Sequence, residues 1–199
     1  MHIVYLYLSS EDVSIDPENK FKSSYPLHLL YSKSSRTRPQ SVSIVQRATF
    51  NSTRTMENVG YYFINDDLDP KLRWWQKPVQ VFKLISQLKP NIIQIHGLDL
   101  PIQFRWLRRE IGDNIKLVGE HTGEKIWAKR KLWLQQFGLR VADGFIFKDM
   151  KDAIPWTKAS VILNKQPIVE IPIAGEDVES TADSLLRFYN NLLTGEKKF

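Results

Sequence analysis

The chain has 199 residues, 42% of them hydrophobic, which suits one globular domain with a sizeable core. It contains no cysteine, which excludes disulfide bonds, thiolate metal sites and cysteine nucleophiles. Its net charge of +6 favours anionic partners without choosing among nucleic acid, lipid and phosphorylated ligands. No apolar segment approaches the roughly 18 residues of a membrane span and no signal peptide is visible, so we expect a soluble, cytoplasmic protein.

Seven short apolar runs predict the strands of a parallel sheet. Most are near-continuous runs of Ile, Val, Leu, Phe and Tyr, which is typical of strands buried on both faces. The predicted strands are Ile3–Leu8, Val42–Gln46, Val59–Ile64, Ile92–His96, Ile115–Gly119, Gly144–Phe147 and Ile168–Ile171. The stretch between the second and third runs has no apolar period, which predicts a loop joining two neighbouring strands.

Apolar residues at helical spacing predict helices between several of these strands. One covers Trp75–Leu88, and Pro90 follows its end. A second stripe runs over 100–111 and stops at Gly112. A third runs over 126–141, and we expect its buried stripe to include Trp133 and Phe137.

A last helix is predicted after the small, acidic stretch 174–180. Thr181 is its expected cap, its stripe includes Leu185 and Tyr189, and Gly195 stops it. Strands alternating with helices predict a single doubly wound α/β domain with a mainly parallel sheet and helices on both faces.

The loops after the strands carry the candidate site residues, because ligands of open α/β sheets bind beyond the carboxyl ends of the strands. The loop after the first strand has no glycine, which disfavours an NAD-binding or phosphate-loop protein. Two histidines end successive strands and could face one crevice, where they would move protons or bind a substrate hydroxyl or phosphate. The alternative is that each histidine caps a turn. The polar residues of these two loops are His96, Asp99, Glu120, His121, Thr122 and Lys125.

Other site classes have less support in the sequence. No tight ligand spacing such as His-Glu-x-x-His is present, and no Gly-x-Ser-x-Gly elbow accompanies the histidines. No recognition motif supports nucleic-acid binding. Residues 125–140 combine cations with tryptophan, and Lys129, Arg130 and Lys131 are its candidate contacts to an anionic membrane surface. The alternative is a crossover helix that packs its aromatic residues on the sheet and leaves its cations in water.

Four stretches, KPNIIQIHGLDLP, IKLVGEHTG, LRVADGFIFKDMKDAIPW and IVEIPIAG, together resemble the N-terminal domain of family 4 glycosyltransferases of the GT-B fold. The resemblance covers about residues 1–175. It implies that His121 is catalytic and lies near the transferred sugar and the acceptor, that His96 lies on the acceptor side, and that Asp143 is chiefly structural. It implies transfer from a nucleotide sugar to a sugar or lipid-linked acceptor, without a metal or other cofactor.

The chain departs from that family in two respects. The glycines expected in the loop after the first strand are absent, and the second domain, which binds the nucleotide sugar, is missing. We therefore expect an acceptor-side domain over 1–175 and a linker and helix over 176–199 that packs back on it. Such a domain would be inactive alone, whether the donor domain was lost naturally or removed by design. The alternative is a binding or scaffold module that docks on anionic lipid, or on a separate chain carrying a donor domain.

Overall fold

The structure is a computed structural model that describes residues 1–9, 41–56, 58–171 and 178–195, with only the backbone of 178 and 179. Eight strands form one sheet in the order β3-β4-β2-β1-β5-β6-β7-β8. All neighbouring strands are parallel except β3 and β4, which are antiparallel. The strands are β1 His2–Tyr7, β2 Ser41–Arg47, β3 Ser52–Met56, β4 Val59–Ile64, β5 Ile92–His96, β6 Lys116–Glu120, β7 Gly144–Phe147 and β8 Ile168–Glu170.

All seven predicted strands are present within a residue or two of their expected bounds. The eighth strand, β3, lies where the sequence predicts a loop, so that prediction is wrong. Its sequence STRTM is polar, and it forms an edge of the sheet against β4, with three of its residues exposed. An edge strand of this kind needs no buried face and therefore leaves no apolar pattern to read. The predicted pairing of the strands on either side of it is confirmed, because β2 is parallel to β4.

Alternate side chains of the parallel strands pack into two separate hydrophobic cores. In β1, Val4 and Leu6 contribute to one cluster, while Ile3, Tyr5 and Tyr7 contribute to the other. This two-sided burial is the physical reason that the strands read as continuous apolar runs.

Helices cover both faces of the sheet in the described part of the chain. They are α1 Val79–Leu88, α2 Pro101–Ile111, α3 Lys129–Leu139, α4 Met150–Lys158 and α5 Val178–Thr194. Each of α1 to α4 contributes buried apolar residues to the first core cluster, and α5 contributes to the second. The doubly wound α/β fold is therefore confirmed. None of the helices in the described ranges is long and apolar enough to cross a bilayer.

The buried face of α3 differs from the one expected from its apolar residues. Trp133 and Phe137 are 58% and 42% exposed, so the prediction that they are buried is wrong. Gln135 and Gly138 are buried instead. A Cβ on Gly138 would lie 2.1 Å from the carbonyl oxygen of Pro101, so only glycine lets α3 approach α2 this closely.

The last helix packs on the second core cluster. It begins at Val178, so Thr181 lies inside the helix and the prediction that it caps the helix is wrong. Its end at Gly195 is confirmed, since that residue has φ of +73° and its N–H donates to the carbonyl of Asn191. Phe188, absent from the predicted stripe, packs so closely on Gly144 that a Cβ there would lie 2.8 Å from its ring.

The strand order reverses direction between β1 and β5. From β1 the chain builds β2 and β4 on one side, and β5, β6, β7 and β8 on the other. The carboxyl ends of β1 and β5, at Tyr7 and His96, therefore flank the topological switch point, where open α/β sheets bind their ligands.

Candidate functional site

A polar cavity of about 220 Å³ opens at the switch point. Its walls come from the ends of β1, β2 and β5 and from the loops after β4, β5 and β6. Seven polar side chains line it: Ser9, Gln46, Lys71, His96, Asp99, Thr122 and Glu124. Of the predicted loop residues, His96, Asp99 and Thr122 line this cavity. Glu120 does not line it but bonds His96.

His96 is held at the cavity by a carboxylate. Its Nδ1 lies 3.0 Å from Oε2 of Glu120, and its ring lies 4.8 Å from the ring of Tyr7. The side chain of His96 is 38% exposed, whereas that of Glu120 is 14% exposed. A carboxylate oxygen can only accept, so Nδ1–H donates to Glu120, and in the neutral ring Nε2 is left as an acceptor. Glu120 thus sets the tautomer of the exposed histidine.

A buried chain of hydrogen bonds extends from Glu120 to the last helix. The same Oε2 of Glu120 accepts from Nε2 of Gln94 at 2.9 Å. The hydroxyl of Tyr189 on α5 donates to Oε1 of Gln94. Gln94 and Tyr189 are both buried. The helix that closes the described chain therefore supports, through two intermediates, the orientation of His96.

Two carboxylates meet around Gly97 on another wall of the cavity. A Cβ built on Gly97 would lie 3.2 Å from an oxygen of Asp99 and 3.2 Å from an oxygen of Glu124, and Gly97 has φ of +94°. Thr122 fixes Glu124, since its N–H donates to Oε2 at 2.8 Å and its hydroxyl donates to Oε1. Glycine is therefore required at this turn for both its conformation and its lack of a side chain.

The pKa of Asp99 is raised from its ordinary value. Partial burial is the largest cause, and repulsion by the Glu124 carboxylate is the second. A hydrogen bond to the Asp99 backbone and the positive charges of Lys71 and His96 act in the opposite direction. A carboxyl with a raised pKa at a cavity wall accepts protons more readily than an ordinary aspartate and is suited to binding hydroxyl groups.

His121 lies in a different environment from His96. It is 6% exposed, its ring stacks on Phe147 at 4.8 Å, and it meets the ring of Trp156 edge-on at 5.8 Å. Its Nε2 lies 3.0 Å from the carbonyl oxygen of Glu124, so Nε2–H donates and Nδ1 is the acceptor of the neutral ring. It lines a cavity of about 30 Å³ together with Glu120 and other residues.

In the described part of the chain the two histidines line different cavities, His96 the polar cavity and His121 the small one. The ring of His96 contacts Tyr7, whereas the ring of His121 contacts Phe147 and Trp156. Glu120 lies between them, because it bonds His96 and also lines the small cavity at His121. The two loops are neighbours, as expected, since β5 and β6 are paired.

The remaining predicted residues lie outside the polar cavity. Lys125 is exposed, and its backbone carbonyl accepts from the side chain of Gln135. Lys129, Arg130 and Lys131 are exposed at the start of α3. Of these, Lys131 lines a second, larger groove of about 480 Å³. Asp143 accepts from the N–H of Leu117 at 2.8 Å and from Arg108, which ties β7 to β6 and α2.

Three contributors to the site carry no recognisable sequence signal. Glu124 and Lys71 come from loops, and only the folded geometry brings them to the cavity. Arg47 is 1% exposed and makes a bidentate ion pair with Asp66, at 2.7 and 2.8 Å. It also donates to the carbonyls of Leu8 and Asp69, so it ties the end of β1 to the loop that carries Lys71.

No cluster of three or more histidine or acidic side chains in the described ranges has the arrangement of a metal site. Glu124 is held by the N–H and the hydroxyl of Thr122. The groups of the cavity that can accept or transfer protons include His96 and the carboxylates of Asp99 and Glu124.

This fold is shared with solved glycosyltransferase structures. A sucrose-phosphate synthase chain from Thermosynechococcus elongatus is similar over 96% of this chain and 99% of its own length, with 12% identity and a TM-score of 0.65. The apo form of the lipopolysaccharide outer core galactosyltransferase WaaB is similar over 86% of this chain, with 11% identity and a TM-score of 0.51. This chain has a glycosyltransferase fold.

The extent of the two matches differs. The chain spans 45% of the length of the galactosyltransferase but nearly all of the sucrose-phosphate synthase chain. No protein-family model matches the sequence, and no curated protein sequence matches it.

Proposed function

We propose that this chain is the acceptor-side domain of a family 4 glycosyltransferase. In a complete enzyme it would hold the acceptor hydroxyl that receives a sugar. Alone it would bind hydroxylated ligands without turning over nucleotide sugars. The observation that carries the proposal is the polar cavity at the switch point of a glycosyltransferase fold.

The groups around the cavity suit an acceptor hydroxyl. Glu120 orients His96 so that Nε2 is the acceptor of the neutral ring, which can bind a hydroxyl proton and take it up during transfer. Asp99 and Glu124 offer further acceptors on the facing wall. We assign His96 the role of acceptor-side base, with Glu120 as the group that orients it.

His121 is assigned to the donor side of the cleft, as the family resemblance implies. Its ring is fixed by Phe147, Trp156 and the carbonyl of Glu124, which gives it a single orientation. A rigid imidazole of this kind would bind a hydroxyl of the transferred sugar. A donor-binding domain would have to bring that sugar within reach and to stabilise the charge of the leaving diphosphate.

The extent of the two structural matches supports assigning this chain to one part of a glycosyltransferase. This chain matches nearly all of the sucrose-phosphate synthase chain but under half of the galactosyltransferase. In this chain β8 ends at Glu170 and α5 begins at Val178, so seven residues stand between them.

Activity and binding assays on the purified chain test the proposal. UDP-glucose, UDP-galactose and GDP-mannose would be incubated with the chain and simple glycosides, and release of the nucleotide diphosphate would be followed. We expect no release above the rate without protein. Release that His121→Ala abolishes would contradict the proposed inactivity, whereas release unaffected by that change would indicate a contaminating enzyme.

A second candidate function is docking on an anionic membrane surface through α3. The observation that favours it is the exposure of Trp133 and Phe137 beside the exposed cations Lys129, Arg130 and Lys131. Exposed aromatic rings next to cations are typical of helices that lie at the lipid interface. The other non-catalytic role is that of a scaffold that pairs with a separate chain carrying a donor domain.

Co-sedimentation with vesicles of phosphatidylcholine and phosphatidylglycerol tests the membrane docking. The triple change of Lys129, Arg130 and Lys131 to Glu is expected to abolish binding. The charge-matched control changes Lys83, Lys89 and Lys158 to Glu, which are exposed on or beside other helices. Equal loss in both variants would show only a general charge effect, and unaltered binding in the first would exclude α3 as the contact.

A further inference from the structure

A second groove adjoins the polar cavity and differs from it in character. Its volume is about 480 Å³. Most of its walls are apolar, namely Leu72, Leu100, Leu134, Ala128, Trp74 and Trp127. Its charged lining residues are Lys71, Lys131 and Asp99. A groove of this size is within the range of small-molecule sites, and its leucines offer nothing to a ligand except apolar contact.

The groove and the cavity share a boundary. Lys71, Leu72, Asp99 and Leu100 line both spaces. A single ligand can therefore place a polar head in the cavity and an apolar tail in the groove. Lys71 lies at the junction of the two spaces, where the head and the tail of such a ligand would be linked.

Buried amides fix the loops that carry both tryptophans. Gln103 of α2 is fully buried, and its Nε2 donates to the backbone carbonyls of Arg73, Trp74 and Gln76. Gln135 of α3 is also fully buried, and it accepts from the N–H of Trp127 at 2.7 Å. Each wall of the groove is thus held by a glutamine from the helix beneath it, so the groove is preformed and does not have to be ordered by a ligand.

We infer that the groove binds the apolar tail of the acceptor and that the acceptor is an anionic single-chain amphiphile with a hydroxylated head. The hydroxyls occupy the polar cavity beside Asp99 and Glu124, the negative charge lies on the groove side near Lys71 and Lys131, and the tail lies between Trp74 and Trp127. This inference rests on the proposed function, because it names the class of acceptor for the same cavity. It differs from membrane docking through α3, since it requires one molecule inserted in the groove.

Short-chain lysophosphatidylglycerol, used below its micelle concentration, is the probe, and glycerophosphoglycerol is the same head without the tail. Calorimetric titration is expected to give at least tenfold tighter binding for the acylated probe. Trp74→Ala is expected to weaken it at least fivefold. The matched control is Trp133→Ala, because Trp133 is exposed on α3 but does not line the groove, and it is expected to change affinity by less than twofold.

The charge at the junction is tested in the same titration. Lys71→Gln is expected to weaken binding at least threefold, whereas Lys83→Gln, on the exposed face of α1, leaves it unchanged. Equal affinity for the acylated and deacylated probes would overturn the inference, as would equal effects of the two tryptophan variants. Binding seen only above the micelle concentration would also overturn it, since that result indicates adsorption to an assembly.

Nuclear magnetic resonance separates failure of the inference from failure of the proposed function. If glycerophosphoglycerol shifts the signals of His96 and Thr122 and the tail adds nothing, the cavity binds hydroxyls and only the groove assignment is wrong. If neither probe nor simple glycosides shift those signals, the proposed function itself is wrong.

Discussion

Tyr189 of the last helix donates a hydrogen bond to Gln94 in the middle of the sheet, 95 positions away in the chain. Gln94 in turn donates to Glu120, which accepts from the ring of His96 at the polar cavity. The contact therefore couples the last helix of the described chain to an exposed ionisable group of the candidate site. Stability of the helix and orientation of His96 are therefore linked in this fold.

Tyr189→Phe is expected to lower the free energy of unfolding by about 1–3 kcal/mol, because it leaves a buried amide oxygen of Gln94 without this donor. Urea unfolding checks this value. The proton resonances of the His96 ring report on this chain of hydrogen bonds, because a less firmly held Glu120 would change the tautomer balance of His96. Unchanged stability together with an unchanged His96 spectrum would show that the helix does not support the site.

Phe188→Ala is expected to destabilise the protein by about 3–5 kcal/mol, because this buried ring packs directly on Gly144. The matched control is Leu193→Ala on the same helix, whose side chain is 37% exposed and whose loss should matter much less. Similar thermal midpoints for the two variants would contradict the packing of α5 on the sheet.

Gly138→Ala is expected to destabilise the chain by about 1–3 kcal/mol, although alanine has a higher helix propensity than glycine by about 1 kcal/mol. The new methyl group would lie 2.1 Å from the carbonyl of Pro101, so α3 would have to move away from α2. Arg130→Ala, at an exposed position of the same helix, is the control and should change stability little. A stabilised Gly138→Ala variant in thermal melting would refute the close approach.

Arg47→Met is expected to lower the free energy of unfolding by about 3–5 kcal/mol, because Asp66 would be left as a buried charge without its partner. The double variant Arg47→Met, Asp66→Asn should recover part of that loss, since the uncompensated charge is removed as well. Chemical denaturation of the two single variants and the double variant measures the coupling. Strictly additive losses would show that the ion pair does not act as a unit.

The raised pKa of Asp99 implies a defined pH dependence. A carboxyl whose pKa is higher in the folded than in the unfolded state binds protons preferentially when folded. The free energy of unfolding therefore falls as the pH rises from the ordinary aspartate pKa through the raised pKa of Asp99. Asp99→Asn removes the ionisation and should therefore melt at a higher temperature than the original chain at pH 7. The difference should shrink as the pH approaches the ordinary aspartate value. An advantage of the variant that is independent of pH would rule out ionisation as its cause.

The sequence predicts the central sheet well, because strands buried on both faces leave continuous apolar runs, as in β5 and β6. It fails at β3, whose polar residues at the sheet edge carry no such pattern. It also fails for α3, where composition favours burying Trp133, while close packing on α2 requires Gly138 at the interface. Whether a small or polar residue of a helix is buried depends on the helix that packs against it, and the sequence of one helix alone does not reveal that partner.

The candidate site is predictable in part for a similar reason. Strand ends can be read from the sequence, so His96 and His121 are found at the correct edge of the sheet. Which cavity each histidine lines depends on the side chains that its ring contacts, and the sequence does not show these contacts. Glu124 and Lys71 reach the cavity from irregular loops and have no periodic signal.

Titration of the isotope-labelled chain with simple glycosides and with nucleotide sugars, read by nuclear magnetic resonance, tests the central claim most directly. We predict that glycosides shift the signals of His96 and Thr122 at the polar cavity, and that nucleotide sugars neither saturate the chain nor are consumed. Saturable binding of a nucleotide sugar with turnover, or no response of the cavity residues to any glycoside, would contradict the proposal that this chain is an acceptor-side domain.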